Sequence, residues 1–415
     1  MSKTTGLPAR RAALKLLDAV LRRGETLEQA ENGALKGVDG PADRALARAI
    51  AGETLRWLTD LDALIDSATK KRLPDDAKPR VVLRLMLAQA LRLGTPPHAV
   101  VATGLDLLAG GPRRLAHGVF STLMKREVSL PDAPTMPDAV QVRWGERAAE
   151  IAPGLIDPPE VDLSLKHPAE TQERATSMGG TSLAPGHIRM PRGTPIDMLP
   201  TFEEGAWWVQ DLAAQLAPRL LGAGEGRRAL DLCAAPGGKT LALAAQGWTV
   251  TALDISEKRL GLLRDNLMRT GLEAEIVKAD ALSYTPAKKF DAILLDAPCT
   301  ATGTCRRHPD VLHRVGSRQI GEMSEIQQSL IMRAVEWMQS GTVLVYAVCS
   351  LEAEEGEEQA RWIDATFDLD PVPITSDELP ASLTPTPEGW LRTHPGMLGE
   401  DGGLDGFFVG RWRKP

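Results

Sequence analysis

Apolar positions in the first third of the chain recur with the period of a helix. Ala13, Leu16, Leu17, Val20 and Leu21 stand at i, i+3, i+4, i+7 and i+8, which gathers them on one face. Similar stripes run through residues 45–58, 80–93 and 99–108, and Pro74, Pro79 and Pro96–Pro97 punctuate them. The pattern predicts an all-α bundle of about six or seven helices over residues 8–125.

Prolines then crowd the chain at 131, 134, 137, 153, 158 and 159, which predicts a linker with a short helix in its middle. The next stretch is mixed and glycine-bearing, and is expected to form a small adaptor of short strands. From Gly205 the period changes. Residues 228–233, 249–255, 274–279, 290–295 and 342–348 are short apolar runs with helical stretches between them, and residues 406–412 form one more β-rich run. That alternation predicts a doubly wound, mostly parallel sheet, a Rossmann-like α/β domain. The expected division is 1–128 helical domain, 129–160 linker, 161–204 adaptor and 205–415 α/β domain.

Composition changes this picture little. The chain of 415 residues has room for two or three domains, and 43% hydrophobic with 25% charged residues is ordinary for a globular protein. No apolar run reaches the length of a membrane span, so no membrane partner is expected. Met1–Arg10 lacks the apolar centre of a signal peptide, and Asp18 and Glu25 come too early for an acid-poor transit peptide. Four cysteines, Cys233, Cys299, Cys305 and Cys349, form no C-x-x-C pair, so neither a disulfide framework nor a metal site is expected. A reducing cytoplasm is the simplest setting. Charge is more informative. The net −7 conceals residues 1–125 with 20 Lys and Arg against 13 Asp and Glu, and a remainder with 28 against 42. A basic module on an acidic body suits a polyanion partner, or else marks solvated helix faces.

Ligands of open α/β sheets bind beyond the carboxyl ends of the strands. The first such end here is Asp231-Leu232-Cys233-Ala234-Ala235-Pro236-Gly237-Gly238-Lys239-Thr240. Paired glycines let backbone approach a ligand closely, although a plain turn would use them too. The sequence is neither G-x-G-x-x-G nor a P-loop. The second strand ends in Asp254, placed to accept hydrogen bonds from ribose hydroxyls or to cap the following helix. Asp280 ends the third, where a carboxylate would reach an adenine amino group or cap a turn. A nucleoside cofactor without a phosphate cradle fits S-adenosylmethionine better than a dinucleotide.

The fourth strand delivers Asp296-Ala297-Pro298-Cys299 and the fifth Tyr346-Ala347-Val348-Cys349-Ser350. One buried cysteine is usually a small hydrophobe. Two at strand ends beside a carboxylate suggest covalent chemistry. Carbon 5 of a pyrimidine is a poor nucleophile until a thiolate adds to carbon 6 and turns the ring into an enamine. Asp296, as an acid beside the ring nitrogen, would neutralise charge during that addition.

With these motifs on the page, the chain resembles the RsmB/Sun-type (NOL/NOP/Sun) RNA cytosine-5 methyltransferase family. Asp231–Thr240, Asp296–Gly303 and Tyr346–Ser350 carry the likeness, joined by Gln210-Asp211 and Asp405-Gly406-Phe407-Phe408. The resemblance implies Cys349 as nucleophile and Cys299 as the residue assisting product release. It implies S-adenosylmethionine bound by Cys233, Ala234, Ala235, Pro236, Gly237, Gly238, Lys239, Asp254, Asp280 and Asp296, with Arg259 added from an Asp-x-Ser-x-x-Arg pattern. The helical residues resemble the NusB-like RNA-binding domain of bacterial ribosomal RNA members, implying a small-subunit ribosomal RNA substrate and a cytoplasmic, monomeric enzyme that does not act on DNA. Two departures stand out. The Pro-Cys motif continues Thr-Ala-Thr-Gly where Ser-Gly-Thr-Gly is commoner, and Cys305, expected to pack, stands where an aliphatic residue is usual.

Other features leave choices open. Arg306-Arg307 would clamp RNA phosphates, sit solvated, or pair with Asp310. Trp207-Trp208 are expected in the core rather than stacking on bases. The acids from Glu352 to Glu358 read as a solvated helix start. A non-catalytic RNA-binding assembly factor is the main competing function. A DNA cytosine methyltransferase would use the Pro-Cys cysteine as nucleophile and not require Cys349. An amino-group methyltransferase would be expected to show Asn/Asp-Pro-Pro-aromatic where this chain has Asp296-Ala297-Pro298-Cys299.

Overall fold

The computed structural model describes residues 6–415, so half of the Met1–Arg10 segment weighed as a leader lies outside the described residues. The chain divides into two compact units, one running to Asp157 and including Cys305–Val315, the other formed by Pro158–Thr304 and Gly316–Pro415.

The first unit is helical: α1 (Leu7–Arg23), α2 (Leu27–Ala34), α3 (Pro41–Arg56), α4 (Leu58–Ser67), α5 (Lys78–Leu91), α6 (Pro97–Gly104) and α7 (Gly110–Lys125). Pro8, Pro41, Pro79 and Pro97 sit in the first turns of α1, α3, α5 and α6, where a missing N–H leaves no bond unmade. The striped positions Leu16, Leu17, Ile50, Leu55, Met86 and Phe120 meet in one core. Helix α5 is buried continuously from Val82 to Gln89, so its charges need partners. Arg80 and Arg84 fork onto Asp62 and Asp66 at 2.6–3.0 Å.

The proline-rich stretch packs on this bundle rather than running free. It forms short helices at Asp138–Trp144 and Arg147–Ile151 that bury Val140, Trp144 and Ile151. Arg56 and Arg92 hydrogen-bond the carbonyls of Leu155 and Ile156. In Cys305–Val315, Cys305 is fully buried, as expected of a packing residue. Arg306 is only 3% exposed, so it is no surface phosphate clamp. Its carbonyl accepts from Arg56, and Asp310 pairs with Arg314.

The second unit begins with a small antiparallel sheet in the order β2-β1-β3, from β1 (Val161–Leu165), β2 (His187–Met190) and β3 (Trp207–Val209). Its third strand comes from beyond residue 205. Trp207 and Trp208 are core residues, as the sequence suggested. The larger sheet contains β4 (Arg228–Leu232), β5 (Thr249–Asp254), β6 (Glu275–Lys278), β7 (Ala292–Asp296), β8 (Val343–Val348), β9 (Asp370–Pro371), β10 (Leu391–Arg392) and β11 (Phe408–Arg413). Strands β4 to β8 are parallel in the order β8-β7-β4-β5-β6, and β11 adds antiparallel beside β8.

Both faces of this sheet are covered, which is why its strands read as unbroken apolar runs. Leu230, Leu232, Ile293, Leu295, Leu344 and Tyr346 face one core with Ile331 and Ala334 of the helix Ser317–Trp337. Ala229, Ala292, Leu294, Val345 and Ala347 face the other with Ala213, Leu216 and Ala217 of the helix Leu212–Arg219. The chain winds outward from β4 in both directions, so the crevice between β4 and β7 is the switch point where such sheets take ligands. Among the described residues, no helix is long and apolar enough to cross a membrane.

Candidate active site

Strands β4, β5, β7 and β8 run parallel, so their carboxyl ends deliver Cys233, Asp254, Asp296 and Cys349 to one edge of the sheet. The turn after β4 carries the first group. Cys233 has φ +60°, an unusual state for a residue with a side chain, and burial pushes its thiol up to about 12, with Asp296, Asp254 and Asp231 adding to the rise. It is therefore a neutral thiol that shapes the turn. Gly237 has φ +110°, and a Cβ there would lie 2.2 Å from Leu263, so only glycine fits. The helix Gly238–Ala245 starts immediately afterwards, its first N–H groups directed at the same edge.

Asp254 is 2% exposed and braces this turn, accepting from the Ala235 N–H at 3.0 Å and the Ser256 N–H at 2.8 Å. The cap of the next helix is Ser256, not Asp254. Arg259 reaches the Ala235 carbonyl and approaches Asp254 at 3.5 Å. Asp280 lies exposed past β6, with one carboxylate oxygen capping the Leu282 N–H at 3.0 Å. Beneath the turn, Asp231 is wholly buried. Thr240 donates to one oxygen at 2.6 Å and the other has no partner. Burial pushes this carboxyl up to about 7, the neighbouring Asp296 and Asp254 charges adding to the effect and the Thr240 bond opposing it. A glycine cradle, an acceptor-only carboxylate at the end of β5 and an orphaned buried oxygen suit a nucleoside bearing a diol and an amino group.

The second group lies between β4, β7 and β8. Lys239 Nζ donates to Asp296 Oδ2 at 2.8 Å and stands 5.2 Å from the Phe407 ring centre. Burial opposes the charge on Lys239, but Asp296 outweighs it and raises the ammonium above its usual value. Cys299 and Cys349 face each other with Sγ···Sγ 3.4 Å. The hydrogen bond with Cys349, then burial, hold the Cys299 thiol well above the usual range.

Small residues hold the two cysteine loops together. Gly303 N–H donates to the Cys349 carbonyl at 3.0 Å, and Gly406 N–H donates to the Gly303 carbonyl at 2.8 Å. A Cβ on Gly303 would lie 1.9 Å from the Gly406 oxygen. The Thr-Gly and Asp-Gly-Phe-Phe motifs, about a hundred residues apart in the chain, are thus one contact.

The structure brings together the residues from Cys233 to Lys239, Asp254, Arg259, Asp296, Cys299 and Cys349, and leaves Asp280 more open at the rim. It also corrects one expectation. The acids after Ser350 are not a solvated run: Glu352 and Glu355 are buried, and Glu357 pairs with Arg392 at 2.6 Å. Sequence reasoning missed Glu355, whose only signal is an acid placed six residues after a cysteine.

Comparisons with known proteins point to one family. The profile of a family described as 16S rRNA methyltransferase RsmB/F matches residues 218–412, and that of the NusB family matches residues 7–109. A protein named ribosomal RNA small subunit methyltransferase B from Xanthomonas campestris pv. campestris is 30% identical over 89% of this chain and 90% of its own. The protein of that name from Klebsiella pneumoniae is 30% identical over 98% of both. A solved structure of a methyltransferase homolog protein from Pyrococcus horikoshii is 28% identical, with a TM-score of 0.56 over 67% of this chain and 94% of that one.

Proposed function

This chain belongs to the RsmB/F family of 16S rRNA methyltransferases and takes its methyl group from S-adenosylmethionine, and on that footing we propose that it methylates carbon 5 of a cytosine in small-subunit ribosomal RNA through a covalent adduct on Cys349. The observation that carries the reading is the pair of sulfurs 3.4 Å apart beside the Lys239–Asp296 ion pair. A methyltransferase acting on an exocyclic amine or a hydroxyl has no use for two adjacent thiols.

The residues take the following roles. Cys233 to Lys239, Asp254, Arg259, Asp280 and Asp296 hold the cofactor, which supplies an electrophilic methyl group on sulfonium. Cys349 adds to carbon 6 as the thiolate, the form in which sulfur is nucleophilic. Asp296, held by Lys239, acts as the acid beside the ring nitrogen, sharing its proton with that nitrogen as negative charge builds on the ring and taking it back when the thiolate leaves. After transfer the carbon-5 proton passes to water, the carbon 5–carbon 6 double bond re-forms and the bond to Cys349 breaks. Cys299 then donates its S–H to the departing sulfur.

Residues 1–128 serve as the RNA-binding domain, the following stretch to Asp157 packs on it as the connection, and the small sheet β1–β3 serves as the adaptor to the catalytic residues that follow it. The enzyme works as a monomer in the cytoplasm, on RNA rather than DNA or a membrane. The test is transfer of labelled methyl from S-adenosylmethionine to small-subunit ribosomal RNA, followed by nucleoside analysis. Label in 5-methylcytidine supports the reading. Label in another nucleoside refutes it, and RNA binding without transfer would favour a non-catalytic assembly factor.

A further inference from the structure

Glu355 lies fully buried in the turn between β8 and the helix Glu357–Thr366. Every bond its carboxylate makes leads to one of the cysteine loops or to the helix beneath them. One oxygen accepts from the Thr300 N–H at 2.9 Å and from Gln327 Nε2 at 3.0 Å. The other accepts from Thr300 Oγ1 at 2.5 Å and from Ser350 Oγ. Thr300 follows Cys299 and Ser350 follows Cys349. Gln327 also donates to the Pro298 carbonyl at 2.9 Å, and the Tyr346 hydroxyl holds the Glu355 carbonyl at 2.6 Å.

We propose that Glu355 is a positioning residue that locks the two cysteine loops in register and sets Cys299 as the hydrogen-bond donor to the sulfur of Cys349. The proposal rests on the reading of Cys349 as nucleophile. A buried carboxylate is costly unless fully bonded, and a neutral amide would satisfy the hydroxyl donors nearly as well. What the amide lacks is charge and a second acceptor for the backbone and Gln327 N–H donors. The charge faces Cys299, where it adds to the effect of Cys349 in keeping the thiol protonated. The other titratable groups nearby are Tyr346, Arg392 beyond it, and Lys239 on the side of Cys349. In the elimination the carbon 6–sulfur pair returns to Cys349 while the Cys299 S–H bond stays intact and stabilises the leaving thiolate.

The experiment compares Glu355→Gln, Glu355→Asp and Thr300→Val with the wild-type chain. Three quantities are read: kcat and KM for RNA, the covalent adduct on a denaturing gel, and the pH profile of Cys299 alkylation by iodoacetamide followed by mass spectrometry. Glu355→Gln should leave KM within about threefold, lower kcat by roughly 10–100-fold, accumulate adduct, and move Cys299 alkylation to lower pH. Glu355→Asp should restore the alkylation profile toward wild type. If Glu355→Gln does not fold, Thr300→Val removes one bond to the carboxylate and should show the same signature more weakly. Wild-type kcat and an unmoved profile in a folded variant would overturn the proposal. Cys349→Ala is run beside them: if it still methylates, the nucleophile reading fails, whereas a dead Cys349→Ala beside a normal Glu355→Gln fails this proposal alone.

Discussion

Replacing Gly303 by Ala tests how tightly Cys349, the proposed nucleophile, is held. The new Cβ would lie 1.9 Å from the Gly406 oxygen, 2.7 Å from its carbonyl carbon and 2.9 Å from the Cys349 oxygen. All three are backbone atoms, so no rotamer change relieves the clash. Reaching ordinary contact at about 3.5 Å demands a shift of more than about 1 Å in one of the two strands of chain. Both belong to the site, because Gly303 bonds the Cys349 carbonyl and Gly406 bonds Gly303. Overpacking of this kind costs about 1–3 kcal/mol. For a domain of this size that lowers Tm by roughly 2–12 °C. A displacement of about 1 Å at a reacting atom costs on the order of 100-fold in turnover. Thermal unfolding followed by circular dichroism and methyl transfer under saturating cofactor give both numbers. Gly261→Ala is the control, since nothing lies within 4 Å of its Cβ and the change should be neutral or mildly stabilising. If Gly303→Ala turned over at the wild-type rate with unchanged Tm, the close approach of the two loops would not position Cys349.

Further outcomes follow from other parts of the structure. Asp254→Ala should weaken S-adenosylmethionine binding by about 1.5–3 kcal/mol, the scale for a charged hydrogen bond, and unchanged calorimetric affinity in a folded variant would remove Asp254 from the cofactor site. Arg11 and Lys15 are exposed on the basic helical unit, so replacing both by Gln should reduce the log–log salt slope of RNA binding by roughly 1.5–2, and an unchanged slope would place the RNA elsewhere. Asp231 keeps its proton in the folded protein up to about pH 7 but releases it near 3.8 when unfolded. Its contribution to stability is therefore full below pH 4 and is lost as pH rises to 7. The unfolding free energy of wild type relative to Asp231→Asn should fall across that interval in denaturant titrations, and parallel curves would contradict the assignment.

The parts of this protein that were legible in its sequence are those whose signals are local. Strands β4, β5, β7 and β8 showed as apolar runs because both faces of the sheet are covered. Helix stripes showed because each helix buries one face, as with Leu16, Leu17 and Val20. Cys299 and Cys349 stood out because cysteines just past strand ends are a local pattern. What was not legible depends on contacts between distant residues. Glu355 looks like any acid near a helix start until the chain returns Thr300 beside it, 55 positions away. Arg306 looked like a surface cation, yet its carbonyl is bonded by Arg56, 250 positions earlier. The small sheet was only half visible because its third strand, Trp207–Val209, pairs with Val161–Leu165 across some forty residues that include β2 and a short helix.

The central claim is that Cys349 bonds to the base and Cys299 acts only afterwards. The most direct measurement is a denaturing gel of wild type, Cys349→Ala, Cys299→Ala and the double variant, each incubated with substrate RNA and S-adenosylmethionine. The geometry of the two sulfurs predicts a slow-migrating, nuclease-sensitive band for Cys299→Ala, which attacks and methylates but cannot release. That band should be absent from Cys349→Ala, which should bind RNA without transferring methyl, and absent from the double variant. A stable band in Cys349→Ala would reverse the two roles, and full turnover in both single variants would contradict covalent catalysis by this pair.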